Sequence, residues 1–138
     1  MYCIDASVLT AVFDENDKFH DHSLSFFRYI IKVGDEIIIP ALALAELAGA
    51  LARKGNKVND IIDYLNVLKS FGNIKFVDLS LELCEFSADI AMQLKVKGSD
   101  SVYIAVSHKY GLKLVTNDNQ QYERGKTMIE TIKTDNDL

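Results

Sequence analysis

At 138 residues, 49% of them hydrophobic and 25% charged, the chain has the size and composition of one folded domain and lies outside the disordered class. No apolar run reaches the roughly 20 residues of a membrane span, so no membrane association is expected. The net charge of −5 lacks the basic footprint usual in nucleic-acid binders. It does not exclude such a partner, because carboxylates that collect divalent cations become locally positive once loaded.

The opening MYCIDAS runs straight into a β-type segment, YCI at 2–4, with no basic stretch before it, so a secretory leader is not expected and a cytoplasmic location is. Asp5 follows that strand directly. It is suited to cap a helix starting near Ser7, or to face a ligand beyond the strand end. DEND at 14–17 reads as a solvated loop. Residues 19–33 show helical periodicity, and Phe26, Phe27, Tyr29, Ile30 and Ile31 nearly encircle that helix, which suggests burial on one side and a partner on the other. His20 and His22 are two apart and share no helix face, so no zinc site is expected of them.

EIIIP at 36–40 is the second expected strand and contains the single proline. The helix expected over 41–54 is apolar from Ala41 to Ala52 except for Glu46. Leu42, Ala43, Gly49 and Ala50, its neighbours at helical spacing, cannot neutralise that carboxylate, and a charge stranded in hydrocarbon costs several kcal/mol. Glu46 therefore lies on a solvent stripe, meets a distant Arg, or faces a cation. Arg53, Lys54 and Lys57 follow, as a solvated helix end or as phosphate contacts.

Further helices are expected over 59–71, 81–96 and 99–110, with Ser80 and Ser99 as N-caps, and further strands over 74–79 and 112–116, with a weaker one at 128–132. Gly55, Gly72, Gly98 and Gly111 stand where a glycine ends a helix. Asp100, preceded by Lys95 and Lys97, falls in a first helical turn, where the macrodipole favours a carboxylate. Val102, Ile104, Ala105 and Val106 of the same helix point to a core. Asp118 comes two residues after the strand LKLVT, and the tail KTDNDL is expected to fray from about 133. Cys3 and Cys84 belong to no C-x-x-C pair and read as reduced, buried small hydrophobes. No phosphate-binding or dinucleotide glycine motif is present.

Strands alternating with helices over 1–138 give one α/β domain with a mostly parallel sheet covered on both faces. Such sheets bind ligands beyond the carboxyl ends of their strands. Asp5 and Asp118 sit there, and Glu46 and Asp100 are able to join them. Crowded carboxylates repel unless cations intervene, and hard ions with oxygen ligands, Mg²⁺ or Mn²⁺, suit such a set.

Four segments carry a resemblance over nearly the whole chain: IDAS with Asp5, PALALAE with Glu46, KGSDSVYIAVSHKYG with Asp100, and LVTND with Asp118. In this order they resemble the PIN-domain ribonucleases, and among them the VapC-type toxins of prokaryotic toxin–antitoxin pairs. The resemblance implies a PIN-like three-layer α/β/α sandwich and a Mg²⁺- or Mn²⁺-dependent endoribonuclease. Asp5, Glu46, Asp100 and Asp118 then form the acidic quartet that holds metal and carries catalysis, with Ser7 and Thr116 at flanking hydroxyl positions. RNA is the implied substrate, cleaved to 5′-phosphate and 3′-hydroxyl ends, and the implied partners are a small antitoxin and a second copy in a homodimer. Arg53, Lys54 and Lys97 are the candidates for RNA phosphate contacts. The chain departs from the pattern twice: Lys97 stands where an Arg is common before the third acid, and Tyr122 lies four residues after Asp118 where an aromatic three after is common. Two other readings remain, a PIN-like scaffold that only binds a partner and an aspartyl-phosphate phosphotransferase with Asp5 as nucleophile. The latter usually carries a second Asp where this chain has Ser7.

Overall fold

A computed structural model describes residues 1–135. The chain runs β1 (Tyr2–Ile4), α1 (Ala6–Phe13), α2 (His20–Val33), β2 (Ile37–Pro40), α3 (Leu42–Arg53), α4 (Val58–Ser70), β3 (Ile74–Val77), α5 (Leu81–Leu94), α6 (Gly98–Tyr110), β4 (Lys113–Thr116), α7 (Asn119–Gly125) and β5 (Thr131–Lys133). The five strands form one sheet in the order β3-β2-β1-β4-β5, and every pair is parallel. This is the expected α/β class with seven helices flanking the sheet among the described residues.

The strands read as unbroken apolar runs because helices cover the sheet. All four residues of β2 are buried, as are Cys3 and Ile4 of β1 and Leu114, Val115 and Thr116 of β4. Burial pushes the Cys3 thiol up to about 12, against a hydrogen bond with Ser107, whereas Cys84, expected inside, is exposed on α5. α6 is buried on every side from Ser101 to Ser107 because it lies between α5 and the strands β1, β2 and β4. α1 packs against α2, α3 and β4.

The chain builds outward from β1 to β2 and β3, then returns to the other side of β1 for β4 and β5. The strand order reverses between β1 and β4, and a parallel sheet opens its binding crevice at such a point. Ile4 is in register with Val115, and the Asp5 N–H donates to the Val115 carbonyl at 2.9 Å, which sets Asp5 beside Thr116 at the carboxyl edge.

Several expected boundaries move. Lys97, not Ser99, is the N-cap of α6, and Gly98 opens that helix instead of closing α5, which ends on Lys95 in the left-handed region. β5 starts at Thr131 because residues 126–129 form the turn that leaves α7. The expected fraying does not begin at 133: Lys133 ends β5, and Thr134 is buried and donates to Asn117 Oδ1 at 2.6 Å. Residues 136–138 of the tail lie outside the described residues.

Candidate active site

Asp5 is only 5% exposed, one residue past β1. It caps α1, and its Oδ2 accepts from Ser7 Oγ at 2.5 Å, from the Ser7 N–H at 3.3 Å and from Thr116 Oγ1 at 3.0 Å. Asp5 is thus the helix cap that its position after the strand suggested. All of these bonds converge on Oδ2. Burial pushes the Asp5 carboxyl up to about 7, and the charge of Asp100 adds to the rise against the pull of the Ser7 and Thr116 hydroxyls.

Asp100 is half-buried in the first turn of α6. Its carboxyl rises to about 6 through burial, with Asp118 and Glu46 adding repulsion and Lys97 opposing it. Asp118 caps α7, accepting from the Gln121 N–H at 2.8 Å. Glu46, half-buried on α3, accepts from the Tyr103 hydroxyl at 2.6 Å. Tyr103 is fully buried on α6, and burial together with the negative charge of Asp5 and Glu46 holds its hydroxyl protonated well above the ordinary tyrosine range. The four acids thus share one end of the sheet and act on one another electrostatically. No ion pair among the described residues includes any of them, so the distant-Arg reading of Glu46 finds no partner there.

A cleft of about 850 Å³ opens beside them. Ser7, Thr10, Glu46, Asn117 and Asp118 line its acidic part, and Lys18, Arg53 and Lys54 line another. Arg53 is exposed at the end of α3, its guanidinium lying over Gly49, where an added Cβ would come within 3.1 Å of Nη1. Lys54 is already engaged, with Nζ 2.6 Å from Asp17 and 3.5 Å from Asp14. The 14–17 segment is accordingly no simple solvated loop: Asp14 is buried and also accepts from the Asn16 N–H. Lys97 stays outside the lining and is exposed at the start of α6.

Three site residues escaped the sequence reading. Tyr103 was masked among core positions, although its spacing of three from Asp100 on one helix places both on neighbouring surface. Asn117 is buried between Ser23 and Thr134, and its N–H donates to Ser7 Oγ at 3.0 Å. Gln121 is fully buried behind Thr116. The sequence did signal Gln121, since an N-cap Asp followed three residues later by Gln is a helix-start pattern.

The sequence matches the PIN domain family over residues 2–126. The chain belongs to the PIN domain family. No curated protein sequence matches it. Among solved structures it is similar to VapC20 of Mycobacterium tuberculosis, described as a sarcin–ricin loop cleaving toxin, at 15% identity and TM-score 0.78, over 91% of this chain and 95% of that one. It is also similar to PAE2754 of Pyrobaculum aerophilum (23% identity, TM-score 0.70, covering 96% and 88%). A third likeness is to VapBC2 of Rickettsia felis, described as bound to a DNA fragment from their promoter (17%, 0.72, covering 96% and 97%). At these identities the likeness is one of fold.

Proposed function

We propose that the chain is a divalent-metal-dependent endoribonuclease, the toxin of a toxin–antitoxin pair, that hydrolyses RNA phosphodiester bonds. One observation carries the reading: four carboxylates lie toward the reversal point of a parallel sheet, and among the described residues none of them is in a salt bridge. Two of them are pushed toward neutrality by burial and mutual repulsion, the condition that a bound cation relieves.

The donor set suits the hard ions Mg²⁺ and Mn²⁺. Among the described residues no three His, Cys, Asp or Glu side chains are grouped closely enough to hold one ion between them. Mg²⁺ commonly keeps several waters and takes one or two carboxylates plus substrate phosphate, so a site for it would not need three of these side chains on one ion. A divalent ion bound there supplies Lewis acidity toward a phosphodiester and neutralises charge on the departing oxygen.

The residues of the chain do the rest. Ser7 and Thr116 fix Asp5 through its Oδ2. Tyr103 fixes Glu46. Arg53 offers a planar fork to a phosphate in the cleft, whereas Lys54 is occupied by Asp14 and Asp17 and contributes less. Lys97 places a positive charge beside Asp100.

The neighbour described as a sarcin–ricin loop cleaving toxin supports RNA as the substrate class, and those described as toxin–antitoxin complexes or DNA-bound VapBC support an antitoxin partner. An apolar cleft of about 380 Å³ between α2 and α4, lined by Val12, Leu24, Phe27, Ile31, Val67 and Phe71, is the surface offered to that antitoxin. Homodimer formation and a cytoplasmic location complete the reading; no helix among the described residues is long and apolar enough to cross a membrane.

Structured RNA incubated with the protein and Mg²⁺ or Mn²⁺ tests the function. The expected result is 5′-phosphorylated fragments, none in EDTA and none with Asp5→Asn. Cleavage that persists in EDTA, or survives Asp5→Asn, overturns the reading.

A further inference from the structure

Three residues after Asp118, where the VapC-type resemblance leads one to expect an aromatic side chain, this chain carries Gln121, with no exposed surface. A buried amide must find partners for its donors and acceptor, or it costs the fold the desolvation of each group. All the partners of Gln121 lie at the site. Its Oε1 lies 3.1 Å from Thr116 Oγ1, whose one proton is shared between Oε1 and Asp5 Oδ2, its Nε2 donates to the Asp100 carbonyl at 3.1 Å, and its own N–H donates to Asp118 Oδ1 at 2.8 Å. Thr116 in turn lies 3.0 Å from Asp5 Oδ2 and accepts the Asp118 N–H at 3.0 Å.

We infer that Gln121 is a positioning residue that fixes the segments bearing Asp100 and Asp118 relative to each other and, through Thr116, relative to Asp5. It joins the end of β4 to the first turn of α6 and the first turn of α7. The capping pattern in the sequence accounts for only one of these bonds. In a capping box the side chain turns back to the N–H of the cap residue, but here that N–H goes to Thr116, and the amide of Gln121 is released to reach Asp100. An aromatic ring at this position would keep the backbone bond to Asp118 and make neither of the side-chain bonds.

The inference rests on the proposal that these carboxylates hold divalent metal. Groups that orient metal ligands from behind alter affinity by about 10- to 100-fold when removed, and that is the effect expected of Gln121→Met, which keeps length and apolar volume. Mn²⁺ affinity, read by electron paramagnetic resonance titration of free Mn²⁺, should fall by about tenfold or more in folded Gln121→Met. The kcat for RNA at fixed Mn²⁺ should fall with it, the KM for RNA should stay at the wild-type value, and saturating Mn²⁺ should restore kcat. A purely structural loss would lower the melting temperature without moving the Mn²⁺ isotherm. Wild-type protein that takes up no Mn²⁺ overturns the function proposed above, and this inference with it. Wild-type uptake together with a folded Gln121→Met that binds Mn²⁺ equally well overturns this inference alone. Gln121→Asn, which keeps the amide but shortens its reach, serves where the Met variant does not fold. If neither folds, Gln121 is a determinant of the fold and the positioning role is overturned.

Discussion

Glu46 and Tyr103 meet at 2.6 Å between two helices that the sequence gives no reason to pair. Stranded in an apolar helix, Glu46 demands an explanation from the sequence alone, and a neutral donor on α6 is half of it. The hydroxyl satisfies one carboxylate oxygen without cancelling the charge, which leaves the acid able to attract a cation. Tyr103→Phe removes a hydrogen bond to a charged group, and since Glu46 is half-exposed the expected loss of stability is about 1–2 kcal/mol. Mn²⁺ affinity should fall as well, because Glu46 loses its orientation. Denaturant melts in metal-free buffer and a Mn²⁺ titration check the two effects separately.

Asp5 and Asp100 make a second prediction at the same scale. Their folded-state values of about 7 and about 6 lie above the ordinary carboxylate value. Between about pH 4 and pH 7 the folded metal-free protein therefore binds more protons than the unfolded chain, and its stability falls as pH rises through that window. Stability from these groups is complete below the lower limit and lost above the upper one. Metal-free melts at several pH values should show this slope, and Asp5→Asn should flatten it. A metal-free protein whose stability rises steadily from pH 4 to 7 would remove Asp5 and Asp100 as its controlling acids.

At the level of elements, the segments with clear periodicity and caps were legible: β1, β2, β4, the helices over α2 to α6, and Ser80 as an N-cap. The first helix was legible only at its start, near Ser7; its extent was not, because α1 is buried from Val8 to Val12 and has no polar stripe to betray its period. α7 is seven residues long and nearly all polar, so only its capping pattern announces it. Asp5 and Asp118 could be placed at strand ends from chain order, with Glu46 and Asp100 able to join them. Their supporting bonds could not, because Tyr103, Asn117 and Gln121 reach the site only through tertiary packing.

The end of α3 also separates two residues that the sequence treats alike. Lys54 bridges to Asp14 and Asp17 and holds the segment between α1 and α2, while Arg53 remains exposed beside the cleft. Arg53→Ala should weaken RNA binding and reduce its salt slope by about one unit, the signature of one lost phosphate contact. Lys54→Ala should change that slope less. Binding isotherms at several salt concentrations decide, and equal slope changes in both variants would put Lys54 back among the phosphate contacts.

For the whole molecule, the proposed function assigns separate tasks to the carboxylate end and the apolar cleft. The all-round apolarity read from residues 19–33 resolves into a buried face with Phe26, Phe27 and Ile30, and exposed Tyr29 and Val33. The cleft between α2 and α4 continues that helix toward Val67, which is 45% exposed on α4. Val67→Glu introduces a charge there at little cost to folding, since surface changes of this kind usually stay within about 0.5 kcal/mol. Co-purification with the product of the adjacent reading frame should weaken, while RNA cleavage by the free protein stays unchanged. Undiminished co-purification would place the antitoxin elsewhere.

The central claim, that the acids at the end of the sheet bind divalent metal, is tested most directly by the shift in denaturant midpoint that Mn²⁺ produces in wild-type protein and in Glu46→Gln. A ligand that binds only the folded state stabilises it by RT ln(1 + [L]/Kd), which is about 2.7 kcal/mol at a hundred times Kd. Wild-type protein should gain stability with Mn²⁺ along that curve. Glu46→Gln keeps an oxygen for the Tyr103 hydroxyl but lacks the charge, so it should be as stable as wild type or modestly more stable without metal, and should gain less when Mn²⁺ is added. A wild-type midpoint that Mn²⁺ does not move, or a Glu46→Gln protein that loses stability without metal and responds to Mn²⁺ as wild type does, would contradict the claim.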